Sequence, residues 1–467
     1  MPMTKNKKQT LLLCILLSVL FLASCSSHIK DEHTVAESEY FFSSLEVMSP
    51  INTNDYGEEV TIPKSFTVLC EAGREGEMFA SAEDISADSK LIFERNARLA
   101  EKHGMTLSLI SSEDIAKKVS ADVLSGDVDY DMLLLGAKSG AELILSGSLA
   151  DLAGISGFST SDAGYSEKVI SDLSLGEKVF LVSGDATPSL IRSASSVLIN
   201  TELAKNIMAG GNINNIALNH HFTYETMQKY AIELMSLNGS VGKDPSVAMS
   251  IDPAFAMDLY FGLGGSFISY DSVTDMPQPV SFDGQNKNVY SVLKDLFGIS
   301  DKEQDGEEFE TTEYITPLFT VATLGELEGL LKENAPFSAL PMPKMSVIQK
   351  DYRSSADLSV ISFTALPKGK GESELAAMEL IYKSSEDLKN SVLGLCTQNE
   401  DGVGQLIYES IGCDILSFFG YGDIPSLMSS CILERTGEKA FELKASERSR
   451  AAATALSIMR NKIEQSK

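Results

Sequence analysis

The chain is poor in the residues on which nucleic-acid-binding proteins and many metalloproteins depend. Among 467 residues there are no tryptophans, five histidines and six cysteines, and 38 basic residues stand against 66 acidic ones. The formal net charge of −28 disfavours nucleic acid and anionic lipid surfaces as partners. Only His220 and His221 lie close together, and adjacent residues point to different sides of a helix or strand, so a shared metal ion is not expected.

Common catalytic motifs are also missing. The chain contains neither the G-x-S-x-G nucleophile elbow nor the H-E-x-x-H zinc helix. The segment "DVDYD" (127–131) resembles the start of a calcium loop, but Met132 stands where the turn glycine is needed and Lys138 where the bidentate glutamate belongs. The sequence therefore predicts no enzyme, no cofactor and no metal site. The acidic run 301–313 is interpreted as a solvated surface loop.

The stretch "YDMLLLGAKSG" (130–140) combines an apolar run with glycine, lysine and serine, as a phosphate-binding loop does. That loop requires G-x-x-x-x-G-K-[ST], and here Ala137 precedes Lys138. A nucleotide site is therefore not expected. A buried strand followed by an open loop and a helix N-terminus, which offers N–H donors to a ligand, fits the pattern better.

The N-terminus predicts export. Lys5, Lys7 and Lys8 precede an apolar stretch from about residue 11 to 23, which is shorter than the roughly 20 apolar residues of a membrane span. The stretch ends in "LASC", which resembles the lipobox of bacterial lipoproteins, whose cysteine is acylated and becomes the first residue. This resemblance implies that residues 1–24 are a signal peptide, that Cys25 carries the lipid, and that the protein is anchored on the extracytoplasmic side of the cell membrane.

Removing 24 of the 467 residues leaves 443, enough for two or three domain-sized cores. Four cysteines remain besides Cys14 and Cys25, too few and too scattered for a disulfide framework. They are Cys70, Cys396, Cys413 and Cys431. Cys413 and Cys431 pair in one interpretation and are buried free thiols in the other.

Residues 25–58 are polar and irregular and are interpreted as a tether with an extra segment. Three β-α units then follow, with strands predicted at 65–70, 105–110 and 130–136 and helices between them. Such units favour a parallel sheet covered by helices, whose ligands bind beyond the carboxyl ends of the strands. We therefore expect Glu71 and Gly73, after the first strand, and Lys138 and Ser139, after the third, to contact a ligand.

Later segments resemble the extracellular solute-binding proteins of ABC importers, the maltose-binding type in particular. The similar pieces, in the family's order, are "GSLADL" (147–152), "GEKVFLVSG" (176–184), "VLINTELAKN" (197–206), "TYETMQKYAIELMSLNG" (223–239), "AFAMDLYFGLGGSFIS" (254–269), "APFSALPMPK" (335–344) and 358–387. The resemblance covers residues 60 to 395. Where the family often has tyrosine, this chain has Ile199, and the family's proline is missing.

The resemblance implies an α/β, two-lobed periplasmic-binding-protein-like fold. Each lobe would be a mostly parallel sheet flanked by helices, joined by crossing strands near 185–196 and 355–366. Residues 59–190 with 315–360 would form one lobe, and 191–314 with 361–467 the other. For residues 396–467 no family pattern applies, although a final amphipathic helix is predicted from "ASERSRAAATALSIMRNKI" (445–463).

The family also implies a function, namely capture of a small polar solute by hinge closure and its delivery to an ABC transporter permease, by a monomeric receptor. Tyr260, Phe261 and Gly264 lie where the family places residues that line the cleft. In the alternative interpretation, the rings of Tyr260 and Phe261 belong to the hydrophobic core. A carbohydrate is one possible solute, since tyrosine and phenylalanine also stack on sugar rings. An alternative is a structural or signalling lipoprotein of the same fold that presents a ligand to a sensor partner.

Overall fold

The structure is a computed structural model that describes residues 51–465, apart from 54–58, 85, 162, 208–211, 238, 240–247, 274–275, 283, 299–315 and 422–423. The described residues belong to one compact unit. The predicted signal peptide, Cys25 and the acidic run 301–313 lie outside the described residues, as does most of the predicted tether. Within the described part, no helix combines the length and the apolar character needed to cross a membrane.

Helices and strands alternate along the chain. The strands are β1 (Ile51–Thr53), β2 (Glu59–Thr61), β3 (Ser65–Glu71), β4 (Thr106–Ser112), β5 (Met132–Gly136), β6 (Ser195–Asn200), β7 (Met249–Ser250), β8 (Ile268–Tyr270), β9 (Pro277–Pro279), β10 (Phe319–Thr323), β11 (Phe337–Leu340), β12 (Ser354–Ser355), β13 (Ser362–Ala365) and β14 (Ile411–Gly412). The helices are α1 (Ala87–His103), α2 (Ile115–Ser125), α3 (Ala137–Ser146), α4 (Glu167–Leu173), α5 (Pro188–Arg192), α6 (Thr201–Ile207), α7 (Ile213–Leu218), α8 (Tyr224–Leu237), α9 (Ala256–Gly262), α10 (Gln285–Leu296), α11 (Leu324–Lys332), α12 (Glu372–Lys383), α13 (Glu386–Cys396), α14 (Asp401–Ser410), α15 (Ile415–Phe418), α16 (Ile424–Leu433) and α17 (Glu438–Gln465).

The first sheet has the strand order β13-β5-β3-β4. β3 pairs in parallel with both β4 and β5, and β13 runs antiparallel to β5 at the edge. All five residues of β5 are buried, which explains its continuous apolar run, because a strand covered on both faces has no solvent side. The three β-α units predicted from the sequence are confirmed here.

The helix ends follow from local chemistry. The Ser86 hydroxyl accepts a hydrogen bond from the Ser89 N–H at 3.0 Å and so caps α1. Gly104 closes this helix in the left-handed region (φ 66°). The second helix begins only at Ile115, because Ser112 still belongs to β4 and Asp114 occupies the N-cap position.

The second sheet has the order β11-β6-β10-β7. β6 is central and wholly buried, and it runs antiparallel to both of its neighbours. Only the β10–β7 pair is parallel. The prediction of a mostly parallel second sheet is therefore wrong, because an apolar run indicates a buried strand but does not give the direction of its neighbours.

Two segments run between the sheets in opposite directions. Val182 and Thr364 exchange backbone hydrogen bonds of 3.0 and 2.8 Å, and Ala194 and Ala356 form a second antiparallel bridge. These positions agree with the crossings predicted near 185–196 and 355–366. The first crossing is not a continuous strand, however, since Pro188 begins the short helix α5 within it. The predicted α/β class, with parallel strand pairs in sheets flanked by helices, is confirmed.

The segments after residue 315 belong to other sheets than the predicted lobe boundaries imply. The prediction assigns residues 315–360 to the lobe formed by 59–190, and residues 361–467 to the lobe formed by 191–314. In the structure β10 and β11 pair with β6, whereas β13 pairs with β5. The chain therefore returns to the first sheet with β13, after its second crossing. The division into two lobes itself stays a prediction.

All four cysteines outside the N-terminal region are buried free thiols. The pairing of Cys413 with Cys431, one of the two interpretations of the sequence, is absent from the structure. Burial raises the pKa of Cys70 and of Cys396 to about 12, so both behave as small apolar side chains.

Candidate functional site

A cavity of about 590 Å³ lies where α4, the parallel pair β12–β14, the turn after α9 and helix α17 meet. This volume falls in the range of about 300–1,000 Å³ that small ligands occupy. Five charged residues and five serines contribute to its wall. The charged residues are Lys168, Asp172, Arg353, Asp414 and Arg460, and the serines are Ser171, Ser174, Ser266, Ser354 and Ser355.

Asp172 holds two sides of the cavity together. Its carboxylate pairs with Lys168, one turn earlier on α4, and accepts a hydrogen bond from the Cys413 N–H at 3.1 Å. Burial raises the pKa of Asp172, against the lowering effects of Lys168 and the Cys413 N–H. Gly412 is required at this point, since a Cβ there would lie 2.3 Å from Asp172 Oδ2.

Asp414 is engaged by the protein in a similar way. Its Oδ2 accepts hydrogen bonds from the Ser417 N–H at 2.9 Å and from the Ser417 hydroxyl at 2.5 Å, which caps helix α15. Burial raises the pKa of Asp414, and the bonds from Ser417 oppose that shift. Both carboxylates of the cavity wall therefore have partners within the fold.

The two arginines differ in their surroundings. Arg460, on α17, is only 8% exposed, and it packs close to Gly176, where a Cβ would lie 2.9 Å from Arg460 Nη2. Arg353 directly precedes β12 and is exposed. Among the described residues Arg353 forms no side-chain hydrogen bond or close ion pair, although its charge lowers the pKa of Asp172 in opposition to burial.

Most serines of the wall donate their protons away from the cavity. The hydroxyl of Ser174 donates at 2.6 Å and that of Ser266 at 2.5 Å, each to a backbone carbonyl. Ser354 donates to the carbonyl of Ser195, and Ser355 donates to the carboxylate of Asp258. These hydroxyl oxygens keep lone pairs that can accept hydrogen bonds from a ligand.

Asp258 lies behind the β12 strand rather than in the cavity wall. It belongs to α9 and accepts hydrogen bonds from Ser355 and Ser195. Burial raises the pKa of Asp258 to about 6, although these two hydroxyls lower it. The carboxyl therefore titrates close to neutral pH.

Apolar side chains also contribute to the cavity wall. Phe261 lies on α9, Ile268 and Tyr270 belong to β8, and Leu456 lies on α17. Tyr270 is 45% exposed, so part of its ring is open to solvent.

Of the predicted ligand residues, Phe261 lines this cavity and the others do not. Tyr260 is fully buried and donates a hydrogen bond from its hydroxyl to Asn286 Oδ1 at 2.9 Å, in a ring cluster with Phe267. Gly264 forms the turn after α9 with φ +85°, one residue before the cavity-lining Gly265.

Glu71 and Gly73 lie at the carboxyl end of β3, as predicted, but their polar groups are used within the fold. Glu71 Oε2 accepts a hydrogen bond from the Gly136 N–H at 2.6 Å and lies 3.8 Å from Arg74 Nε. The Gly73 N–H donates to Glu75 Oε2 at 2.8 Å.

Arg74 covers this strand end, a role that the sequence pattern does not indicate. Its Nη1 donates to the carbonyls of Val360 and Ile361 at 2.9 and 2.8 Å and to the Ser362 hydroxyl at 3.0 Å. Its Nη2 reaches so close to Gly136 that a Cβ there would lie 2.4 Å away. The predicted open edge is therefore filled by a side chain of the protein.

Lys138 and Ser139 belong to a helix rather than to a loop. Helix α3 begins at Ala137, directly after β5, with Gly136 in extended conformation at its N-cap position. Lys138 is exposed and Ser139 half-buried. The prediction of an open loop between this strand and the next helix is wrong, because the strand passes into the helix without a connecting segment. Whether these two residues contact a solute stays a prediction.

Arg353, Asp172 and Arg460 were not indicated by the sequence. They come from a crossing segment, a short helix and the last helix, which are far apart in the chain. Across the described residues, no group of three or more histidine, cysteine, aspartate or glutamate side chains is arranged to hold a metal ion.

The chain matches no family model and none of the curated proteins. Among solved structures it is similar to the GacH receptor of Streptomyces glaucescens GLA.O, which was determined without ligand and in complex with acarbose and an acarbose homolog. The two are 12% identical with a TM-score of 0.47, and the alignment covers 84% of this chain and 99% of GacH. A similarity of this size identifies no ligand for this chain.

Proposed function

We propose that the protein is an extracytoplasmic receptor that captures a small polar solute in the cavity between α4, β12–β14, α9 and α17 and delivers it to an ABC transporter permease. The cavity is the observation that carries this proposal. The cavity has the volume of a small-molecule site. Its apolar side chains can contact the apolar part of a ligand, and its charged groups and hydroxyl oxygens can bind the ligand's polar atoms.

The two crossings support capture by closure. Two antiparallel segments, bridged at Val182–Thr364 and Ala194–Ala356, pass between the sheets. Hinge closure around a ligand uses a few such residues that absorb the change in backbone angles. Because the wall takes residues from α4, β12–β14, α9, β8 and α17, a change in the separation of these elements would open or close the cavity.

The polar groups of the wall are suited to binding. Asp172 and Asp414, the carboxylates of the wall, each accept hydrogen bonds from protein donors, which hold them in place. Lipidation at Cys25, a location on the extracytoplasmic side and a monomeric state belong to the same proposal and are supported by the "LASC" resemblance and by the family pattern.

The test is a thermal-shift screen of the protein, purified from full-length expression, against neutral sugars, sugar acids, amino acids, peptides and polyamines. A solute that binds should then give saturable heats in calorimetry and a smaller radius of gyration in X-ray scattering. A protein that binds tightly with an unchanged radius would contradict closure. A protein that binds no solute class would contradict the receptor itself.

A further inference from the structure

The charges of the cavity wall do not balance. Three cationic side chains face two carboxylates, in a chain whose net charge is −28. The local excess is therefore opposite in sign to that of the whole protein. Such a reversal matters for ligand selection because exposed charges farther away than about 8 Å are largely screened at physiological ionic strength.

The partners within the fold show which charge is left over. Lys168 pairs with Asp172, which also accepts the Cys413 N–H. Asp414 is used by the cap of α15. The guanidinium of Arg353 has no hydrogen-bond or close ion-pair partner among the described residues, and only the longer-range attraction of Asp172 reaches it.

We propose that the cavity takes a solute that carries an anionic group, a carboxylate or a phosphate, which binds to the guanidinium of Arg353. This inference rests on the proposed receptor function and names the class of its solute. A guanidinium presents a planar fork of N–H donors that matches two oxygens of such a group, which an ammonium cannot do.

The rest of the wall fits the uncharged part of the same solute. Phe261 and Tyr270 offer ring faces on which a flat or saturated ring packs. The serine hydroxyls, whose protons point into the protein, accept hydrogen bonds from hydroxyl groups of a ligand. A cationic solute is disfavoured because three cationic side chains of the wall stand against two carboxylates, one of which already pairs with Lys168.

The experiment compares neutral sugars with counterparts that carry one anionic group, namely glucose with glucuronate and with glucose 6-phosphate, and galactose with galacturonate. Amino acids, dicarboxylates, peptides and polyamines complete the panel. The variants are Arg353→Gln, which removes the charge, and Arg353→Lys, which keeps the charge but not the fork. Arg450→Gln is the control, since Arg450 is an exposed arginine on α17 outside the cavity wall.

The best-binding probe is expected to be anionic. Arg353→Gln should weaken its binding about ten- to a hundredfold, the usual effect of losing a hydrogen bond to a charged group. The affinity of Arg353→Lys for this probe should lie between those of Arg353→Gln and the wild type. Arg450→Gln should bind the probe as tightly as the wild type does. The melting temperature of ligand-free Arg353→Gln should stay unchanged, because Arg353 is exposed.

Three results would count against the inference. If neutral or cationic probes bind best, the anionic class is wrong. If Arg353→Gln binds the anion as tightly as the wild type does, Arg353 does not hold the anionic group. In both cases the receptor function stands. If Arg450→Gln weakens binding as much as Arg353→Gln does, the effect comes from net charge and Arg353 has no direct role. If the wild type binds no probe of any charge, both proposals fail.

Discussion

Replacing Asp258 with asparagine should remove a pH-dependent part of the free energy of unfolding. Asp258 lies behind β12, where burial raises the pKa of its carboxyl from 3.8 to about 6 despite the hydroxyls of Ser355 and Ser195. A raised pKa means that the folded protein binds this proton more tightly than the unfolded chain does. The resulting stabilisation is complete below about pH 4 and is lost as the pH rises through 6.

The magnitude follows from the size of the shift. A difference of about 2 pKa units corresponds to roughly 3 kcal/mol of unfolding free energy. Between about pH 4 and pH 7, the unfolding free energy of the wild type should therefore fall by about 3 kcal/mol relative to that of Asp258→Asn. Because the other titrating groups are the same in both proteins, their contributions cancel in the difference.

The assay is urea unfolding at a series of pH values, with the free energy extrapolated to water for each protein. Asp127→Asn is the matched control, since it makes the same substitution at an exposed aspartate. A wild-type minus Asp258→Asn difference that stays flat from pH 4 to 7, or that changes in the opposite direction, would show that this carboxyl is not destabilised by burial.

The other predictions concern backbone packing, the place of the solute and lipidation. Gly184→Ala should lower the free energy of unfolding by about 1–3 kcal/mol, because the added Cβ would lie 2.3 Å from the Gly164 carbonyl oxygen. Gly329→Ala, in open space on α11, should raise that free energy by up to about 1 kcal/mol. Equal effects of the two substitutions in chemical denaturation would refute the packing argument. Lys138→Ala should leave solute affinity in calorimetry unchanged if the cavity is the site, and a ten- to hundredfold loss would instead place the solute at the end of β5, as the sequence predicts. Cys25→Ala should release the protein from the membrane fraction or leave it unprocessed, and fractionation like that of the wild type would contradict the lipid anchor.

The sequence could predict the first sheet because its signals are local. A continuous apolar run such as β5, a cap such as Ser86 and a closing glycine such as Gly104 each act within a few residues of the element they define. The same holds for the last helix, predicted at 445–463 and observed at Glu438–Gln465.

What the sequence could not give depends on contacts between distant residues. The direction of β6 relative to β10 is decided by pairing across more than a hundred residues, and no strand pattern records it. The strand-end residues Glu71 and Gly73 were placed correctly, but their availability depends on Arg74, which reaches carbonyls at Val360 and Ile361. The cavity was missed for the same reason.

Helix α17 contributes Leu456 and Arg460 to a wall that begins at Lys168 on α4. Contacts between such distant parts of a chain form late, because the intervening loops must first close, and during synthesis the N-terminal parts fold before the rest. A growing chain can therefore assemble β3, β4 and β5 long before it has a place for a solute. If the cavity is the solute site, binding would require a chain that has been translated as far as the last helix. A chain that ends after β13 would contain strands of both sheets and would not bind the solute.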